Sequence, residues 1–246
     1  DALPYAAYTV VDDAGRKLSF ERKPTRIVSL TYGTDEILVD LVDLKRIRAF
    51  SRWAGDKEIS FITREQLIDV GLKVNDNLEA ILKLEPDLVV ASAATSHDVV
   101  QSLENIGIKV YIARSPHNYQ EMCEKILRLA EAVGEKSQGK ALVSRMNERM
   151  DALERRLSKL PEGKRKVAVA FNFTSAMGRR GDLLDNMLTM AHVINGAAAV
   201  TPPISEHGSV IISKEMVVGI DPDVILLPTW NYNNKQDVQG YAYAVM

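Results

Sequence analysis

The chain has 246 residues, of which 46% are hydrophobic, and its 31 basic residues nearly balance 33 acidic ones. This length suffices for one large or two medium domains, each with its own core. The near-neutral charge shows no nucleic-acid footprint, and no apolar run approaches the roughly 20 residues that a membrane span needs. The single cysteine, Cys123, cannot form an internal disulfide, so cysteine usage leaves the compartment open.

The first half of the chain predicts a hairpin followed by alternating strands and helices. Residues 8–11 and 17–20 alternate in polarity on either side of a turn, which indicates a β-hairpin. Short apolar runs predict buried strands at 26–30, 47–50, 88–91 and 110–113. Helical periodicity follows most of these strands, whereas residues 54–68 are polar and are predicted to be irregular. Alternating strands and helices are typical of a parallel α/β sheet.

Residues 137–160 predict one long helix. Apolar residues recur along it at steps of three and four, and at 1.5 Å per residue it would be about 35 Å long. We expect it to join an N-terminal α/β lobe, residues 1–136, to a C-terminal α/β lobe, residues 161–246, as a rigid strut. The second lobe is the smaller, which predicts that a final strand and closing helices are missing at its C-terminal end.

One pattern occurs twice, at residues 77–87 and 213–223. Each copy has a cap residue, a short helix and a Pro-Asp pair, and a buried strand follows it. The glutamates, prolines and aspartates of the two copies keep the same spacing, which places Glu79 and Glu215 in equivalent first helical turns. A single acidic residue there only complements the helix dipole. The repetition indicates two similar lobes that present matched acidic points.

The sequence carries no recognisable catalytic or cofactor-binding motif. It lacks the zinc-protease, C-x-x-C, G-x-S-x-G and G-x-G-x-x-G patterns, and no nucleophile–base pair stands out. His97, His117 and His207 all fall in predicted loops, so a three-histidine metal site is geometrically allowed. Loop histidines are more often simply solvated, and we favour that interpretation.

Ligands of open α/β sheets bind beyond the carboxyl ends of the strands. The segments predicted at that edge are rich in arginine and aromatic residues. Taken singly these are ordinary surface charges or half-buried rings. Together on one edge they predict a cleft for a bulky, aromatic, anionic ligand. The candidate ligand-binding residues are Tyr32, Arg52, Trp53, Arg114, Arg179, Arg180, Trp230 and Tyr232.

Several stretches and the long helix together carry a family resemblance that runs from Tyr8 to about Tyr232. The stretches are Tyr8–Arg16, Pro24–Leu30, Thr34–Leu38, Asn77–Val90 and Gly107–Val110. In this combination the chain resembles the substrate-binding proteins of ABC importers for iron–siderophore complexes, haem and cobalamin. The resemblance implies two Rossmann-like α/β lobes joined by one long rigid helix, with the ligand in the cleft between the lobes.

The resemblance also implies where the protein works and with what. It implies a monomer that is periplasmic or lipid-anchored outside the cytoplasmic membrane, with the signal sequence absent from this chain, and that is neither an enzyme nor dependent on a cofactor. In the family, one glutamate of each lobe docks on arginines of the permease dimer. The matching positions are Glu79 and Glu215.

The ligand class is a further expectation. Haem binders of the family often use a tyrosine ahead of the first glutamate helix, but residues 58–76 contain none. Cobalamin binders often stack a tryptophan near these helices, where Gly71 and Ser209 lie. Arginines near the cleft favour an anionic ferric siderophore, because guanidinium groups pair well with carboxylate or catecholate oxygens. Haem or cobalamin binding, direct zinc or manganese binding, and a two-lobed cleft enzyme remain alternatives.

Overall fold

The computed structural model describes residues 6–171, 176–201 and 212–227. The chain divides into two compact units. Unit 1 comprises Asp1–Ser115 and Cys123–Arg145, and unit 2 comprises Pro116–Met122 and Met146–Met246. Each unit contains its own sheet with parallel strands flanked by helices, which confirms the predicted α/β class.

Unit 1 is built on a five-stranded parallel sheet with the strand order β5-β4-β3-β6-β7. An antiparallel hairpin precedes this sheet. The strands are β1 (Tyr8–Val11), β2 (Lys17–Phe20), β3 (Ile27–Ser29), β4 (Ile47–Ser51), β5 (Lys73–Val74), β6 (Leu88–Ser92) and β7 (Lys109–Ala113). The helices between them are α1 (Tyr32–Leu41), α2 (Arg64–Val70), α3 (Leu78–Leu82) and α4 (His97–Asn105). Helices on both faces bury the central strands, so these strands are almost continuously apolar.

The core of unit 1 lies on the two faces of this sheet. Val28, Ala49, Val89 and Val110, one from each of four neighbouring strands, are fully buried. Helix α1 adds Leu38 to the core. Because every strand runs in the same direction, the segments that follow β3, β4, β5 and β6 all emerge at one edge of the sheet.

The turn of the β1–β2 hairpin attaches to the outer strand β7. The buried Asp12 carboxylate accepts a hydrogen bond from the Ile112 amide at 3.1 Å, and the Asp13 amide donates to the Ile112 carbonyl at 3.1 Å. The Asp13 carboxylate also accepts a bond from Arg128 Nε at 2.7 Å. The hairpin turn therefore continues the hydrogen bonding of the sheet beyond its last strand.

Within the described residues, unit 2 has a smaller sheet centred on β8. The order is β10-β8-β11 with parallel pairing, and β9 pairs antiparallel with β8. The strands are β8 (Val167–Phe171), β9 (Ala176–Met177), β10 (Ile194–Asn195) and β11 (Val224–Leu226). The helices are α7 (Leu183–Met190), α8 (Ala197–Val200) and α9 (Lys214–Ile220).

Two longer helices contribute residues to both units. They are α5 (Tyr119–Ala132) and the 22-residue α6 (Lys136–Leu157). Gly139 is the buried residue of α6, and a Cβ there would lie 2.3 Å from the Ala130 Cβ, so only glycine allows this approach to α5. Across the described ranges, no helix is both long and apolar enough to cross a membrane.

Three segments differ from the sequence-based expectation. Residues 54–68, predicted to be irregular, contain the start of α2, whose Thr63 and Gln66 form a reciprocal capping box. Residues 192–212, whose sequence predicts mainly loops, contain β10 and α8. His97 begins α4 and does not lie in a loop. α2, β10 and α8 are too short for an apolar period to stand out, whereas α4 differs from the prediction only in where it begins.

The two repeat copies form the same local structure. Asn77 Oδ1 accepts a bond from the Ala80 amide at 3.0 Å and so caps α3. Ser213 Oγ accepts one from the Met216 amide at 3.2 Å and caps α9. Both copies therefore begin their helix by the same side-chain capping interaction.

The likeness extends to the residues that end each copy. Glu85 and Asp221, each directly before the proline, have left-handed φ angles of 47° and 52°. The Asp87 carboxylate accepts bonds from the Thr25 and Arg26 amides, at 2.9 and 2.8 Å, just ahead of β3. The Asp223 carboxylate accepts one from the Val167 amide at 2.8 Å, at the start of β8. Each aspartate thus ties its own strand to the central strand of its unit.

We expect Asp87→Ala to lower the free energy of unfolding by about 1–2 kcal/mol, because it leaves two backbone amides without their acceptor. The measurement is urea unfolding followed by circular dichroism. Asp40→Ala is the matched control, because Asp40 is an exposed aspartate on α1. Equal midpoints for the two variants would contradict the proposed strand tie.

Candidate ligand-binding site

Unit 1 has a pocket of about 170 Å³ at the carboxyl edge of its sheet. Its lining comes from the segments that follow β3, β4, β5 and β6. The lining residues are Leu30, Arg52, Trp53, Asn75, Asp76, Ser92, Ala94 and Thr95. After β3 the chain adds β4 and β5 on one side, and then crosses to β6 on the other. The pocket therefore lies where α/β sheets usually bind their ligands.

Arg52 and Trp53 form the most distinctive part of the lining. They are the two central residues of a turn that the Ala54 amide closes onto the Ser51 carbonyl at 3.1 Å. The Arg52 Cζ atom lies 4.2 Å from the centroid of the Trp53 ring, within the range of a cation–π interaction. Arg52 is exposed and Trp53 is half-buried. The turn thus presents a cation and an aromatic face together.

A fully buried carboxylate holds the start of this turn. Asp35 Oδ2 accepts a bond from Ser51 Oγ at 2.6 Å, and both carboxylate oxygens accept from the Ser51 amide, at 3.0 and 3.2 Å. Ser29 and Thr34 join the same polar cluster, with 2.7 Å between their hydroxyl oxygens. Helix α1 is therefore bonded directly to the end of β4.

Burial raises the pKa of the Asp35 carboxyl from 3.8 to about 6. Hydrogen bonding by Ser29 and Ser51 opposes this shift, and the negative charge of Glu36 adds to it. Because the folded protein holds this proton more tightly than the unfolded chain, the contribution of Asp35 to stability is present below pH 3.8 and is lost as the pH rises through about 6. The ionised carboxylate is thus kept at a cost to stability.

The segment after the turn is held at several points. Gly55 has a φ of +78°, and a Cβ there would lie 2.2 Å from the Leu67 Cδ1 atom of α2. Lys73 Nζ donates to the Ala54 carbonyl at 3.3 Å. Glu36, the neighbour of Asp35, accepts a bond from the Phe61 amide at 3.0 Å. Adjacent carboxylates of α1 therefore hold both ends of residues 51–61.

The opposite part of the lining follows β6. The Thr95 amide donates to the Ser92 carbonyl at 3.1 Å, and the Ala94 amide donates to Ser92 Oγ at 3.1 Å. Thr95 Oγ1 accepts a bond from the Ser92 amide at 3.2 Å. This tight turn places two hydroxyl groups at the pocket.

The remaining sequence-based candidates of unit 1 lie near the same edge but do not line the pocket. Tyr32 is the exposed first residue of α1. Arg114 directly follows β7 and is exposed, and its amide donates to Asp13 Oδ2 at 3.0 Å. Of the eight candidates, the structure brings Arg52 and Trp53 together in the pocket.

Arg179 and Arg180 belong to unit 2. Arg179 is half-buried, and the exposed Arg180 donates through Nη2 to the Ala198 carbonyl at 3.0 Å. Trp230 and Tyr232 lie outside the described residues, as does His207.

Sequence reasoning missed the part of the lining that follows β5. Asn75 and Asp76 come after a strand of only two residues, which has no recognisable alternation. Polar residues directly after an apolar Val74 were the available signal. Ser92 and Thr95 directly follow the strand predicted at 88–91, but hydroxyl residues did not stand out beside arginines and aromatics.

The histidines do not form a metal site within the part of the chain that the structure describes. No group of three or more histidine, cysteine, aspartate or glutamate residues there is close enough to hold a metal ion. His97 is exposed. His117 is also exposed, and its Nδ1 lies 3.2 Å from Glu121 Oε2.

Glu79 and Glu215 are both exposed in the first turns of their helices, α3 and α9. The backbone amide of Glu215 itself, with the Ser213 hydroxyl, lowers the pKa of the Glu215 carboxyl. These hydrogen bonds therefore favour the charged form of this exposed carboxylate.

A family model described as periplasmic binding protein matches residues 27–241, which is most of the chain. The chain belongs to the periplasmic binding protein family. This confirms the resemblance that the sequence motifs indicated.

Individual relatives agree with this assignment. A Bacillus subtilis protein named uncharacterized ABC transporter substrate-binding lipoprotein YvrC is 24% identical over 230 residues, which cover 89% of this chain and 68% of YvrC. The B. subtilis protein named probable siderophore-binding lipoprotein YfiY is 24% identical over 243 residues, which cover 95% of this chain and 72% of YfiY.

Solved structures show the same fold. A periplasmic binding protein from Veillonella parvula superposes with a TM-score of 0.70 at 20% identity. The superposition covers 97% of this chain and 82% of that protein. The predicted architecture is thus confirmed at the level of fold.

We expect Gly55→Ala to destabilise the protein by roughly 1–3 kcal/mol, because alanine is strained at this φ and its Cβ collides with Leu67. Gly33→Ala is the control, because Gly33 lies in α1 with open space around its Cα. We expect that change to be neutral or stabilising by up to about 1 kcal/mol. Thermal unfolding of both variants is the measurement, and similar losses would refute the close contact at Gly55.

Proposed function

We propose that the protein is an extracytoplasmic substrate-binding protein that captures a ferric siderophore and delivers it to the permease of an ABC importer. The observation that carries this proposal is the pocket in which Arg52 lies over Trp53. Family membership supports the role in binding, and the similarity to YfiY supports the class of ligand.

The chemistry of the pocket suits a chelate that is both anionic and aromatic. The Arg52 guanidinium can donate two parallel bonds to carboxylate or catecholate oxygens, and the Trp53 ring offers a flat apolar surface. Asp76, Ser92 and Thr95 add acceptors for hydroxyl or amide groups of the ligand. The chelator supplies the ligands of the iron, so the protein needs to recognise only the organic anion.

The pocket of unit 1 takes part of such a ligand. Its volume of about 170 Å³ is below the range of about 300–1,000 Å³ found for sites that hold a drug-sized molecule. A whole chelate therefore needs contacts beyond this pocket. From the sequence we propose Tyr32, Arg114, Arg179, Arg180, Trp230 and Tyr232 as further ligand-binding residues. As a separate proposal, the chain has an N-terminal lobe at residues 1–136 and a C-terminal lobe at residues 161–246, joined by the helix at 137–160.

Titration with a ligand panel tests this proposal. The panel holds ferric catecholate and hydroxamate siderophores, haemin and cobalamin, and the signal is intrinsic tryptophan fluorescence. We expect saturable quenching by one ferric siderophore at sub-micromolar concentration. Binding of haemin with a Soret band, binding of cobalamin, or no binding by folded protein would each overturn the siderophore assignment.

We expect Arg52→Ala to weaken binding of that siderophore by about tenfold or more, because a charge-assisted hydrogen bond is lost. Arg48→Ala is the matched control, since Arg48 is an exposed arginine of the same strand β4 that does not line the pocket. Isothermal titration calorimetry measures both affinities. Equal affinities for the two variants would contradict the role of Arg52.

We further propose that Glu79 and Glu215 dock on arginines of the permease. Their exposure and their equivalent positions in α3 and α9 support this role. Reversing both charges to arginine should abolish uptake of the labelled chelate and leave ligand affinity intact, because like charges then face each other. Glu65→Arg is the control, since Glu65 is also exposed in the first turn of a helix. Unchanged uptake in the double variant would sink the docking role.

A further inference from the structure

We propose that Asp35 is the positioning residue of this pocket. Its carboxylate fixes the turn at Ser51–Ala54 and thereby the orientation of the Arg52–Trp53 pair, so that protonation of Asp35 loosens the pair and weakens ligand binding at acidic pH. The effect on the ligand rests on the proposed function, whereas the geometry of the pair can be measured without any ligand.

The contacts lead from Asp35 to the pair in two steps. The carboxylate accepts bonds from both the amide and the hydroxyl of Ser51, which fix the backbone and the side chain of that residue. Ser51 is in turn the first residue of the turn that the Ala54 amide closes. Arg52 and Trp53 are the residues between, so their orientation follows from that of Ser51.

The bonds to Ser51 depend on the charge of the carboxylate. An ionised carboxylate only accepts, and all its bonds from Ser51 are charge-assisted. A protonated carboxyl offers fewer acceptor sites to Ser51, because one of its oxygens then carries a donor O–H. The remaining bonds then join neutral groups and are about half as strong. Protonation therefore weakens the bonds that hold the start of the turn.

The surroundings of Asp35 make this change accessible at mildly acidic pH. Asp35 is fully buried, and burial moves its pKa to about 6. The elements packed against it face it with the neutral groups of Ser29, Thr34 and Ser51, and Glu36 is the charged neighbour that acts on it. Within the described residues, the polar groups around Asp35 therefore supply hydrogen bonds and no cation.

Global unfolding is a separate effect with the opposite sign. Because the ionised form is the disfavoured form in the folded state, protonating Asp35 does not destabilise the fold through this group. A loosened Arg52–Trp53 pair in a folded protein at acidic pH thus distinguishes positioning from a structural role.

The test uses the fluorescence of Trp53. The chain has two tryptophans, so Trp230→Phe leaves Trp53 as the sole reporter. Its emission and its quenching by acrylamide are measured without ligand between about pH 5 and pH 8, with circular dichroism at each pH to confirm folding. We expect one transition with a midpoint close to the pKa of Asp35.

Three variants in the same background separate the causes. Asp35→Asn should abolish the transition and hold the emission at its acidic value. Ser51→Ala removes a bond that lowers the pKa of Asp35, so the midpoint of the fluorescence transition should move to higher pH. This shift tests the inference even if Asp35→Asn folds poorly. Asp40→Asn is the matched control on the same helix and should reproduce the parent curve. A transition that persists in Asp35→Asn, or a midpoint unmoved in Ser51→Ala, would overturn the inference.

The ligand provides an independent second readout. In the protein that keeps both tryptophans, affinity for the siderophore should fall roughly threefold or more between about pH 7.5 and pH 5.5, as charge-assisted bonds become neutral. The affinity should stay constant over this range when Asp35→Asn is introduced into that protein. Equal pH profiles would overturn the link between Asp35 and binding. If no siderophore binds at any pH, the proposed function fails, and the fluorescence of Trp53 still decides whether Asp35 positions the pair.

Discussion

The structure of unit 1 depends on the parallel pairing of β6 with β3. β3 is the central strand, and Asp87 bonds the backbone just ahead of it while belonging to the segment that begins β6. This fixes the register in which Val28 lies beside Val89. A slip by one residue would turn the buried side chains of β6 to the opposite face of the sheet. The pocket exists because this register brings the end of β6 beside the end of β3.

Much of this arrangement could be predicted from the sequence. The buried strands are short apolar runs with clear boundaries, and the repeated Pro-Asp segments marked two similar units. The structure shows that the two copies also share their local structure. Each has a side-chain cap, a residue with a left-handed φ angle and an aspartate that bonds two strands together. Arg52 and Trp53 were found because they directly follow a strand.

Other parts of the site could not be predicted, for physical reasons. Asp35 lies in a helix, and an acidic residue near a helix N-terminus is ordinarily explained by the helix dipole. That it is buried against Ser51 is a long-range fact of the fold, which no local pattern contains. Asn75 and Asp76 follow a two-residue strand, and such a strand is defined by its pairing with β4 rather than by its own sequence.

The hairpin turn that attaches to β7 has a consequence for the behaviour of the protein in solution. An outer strand with unpaired amides and carbonyls is a template on which another chain can add a strand. On that strand the Ile112 amide donates to the Asp12 carboxylate, and the Ile112 carbonyl accepts a bond from the Asp13 amide. Because Arg128 anchors Asp13 through a carboxylate contact, the hairpin is held over the sheet edge. Detachment of the hairpin from β7 would expose these backbone groups as a site for edge-to-edge aggregation.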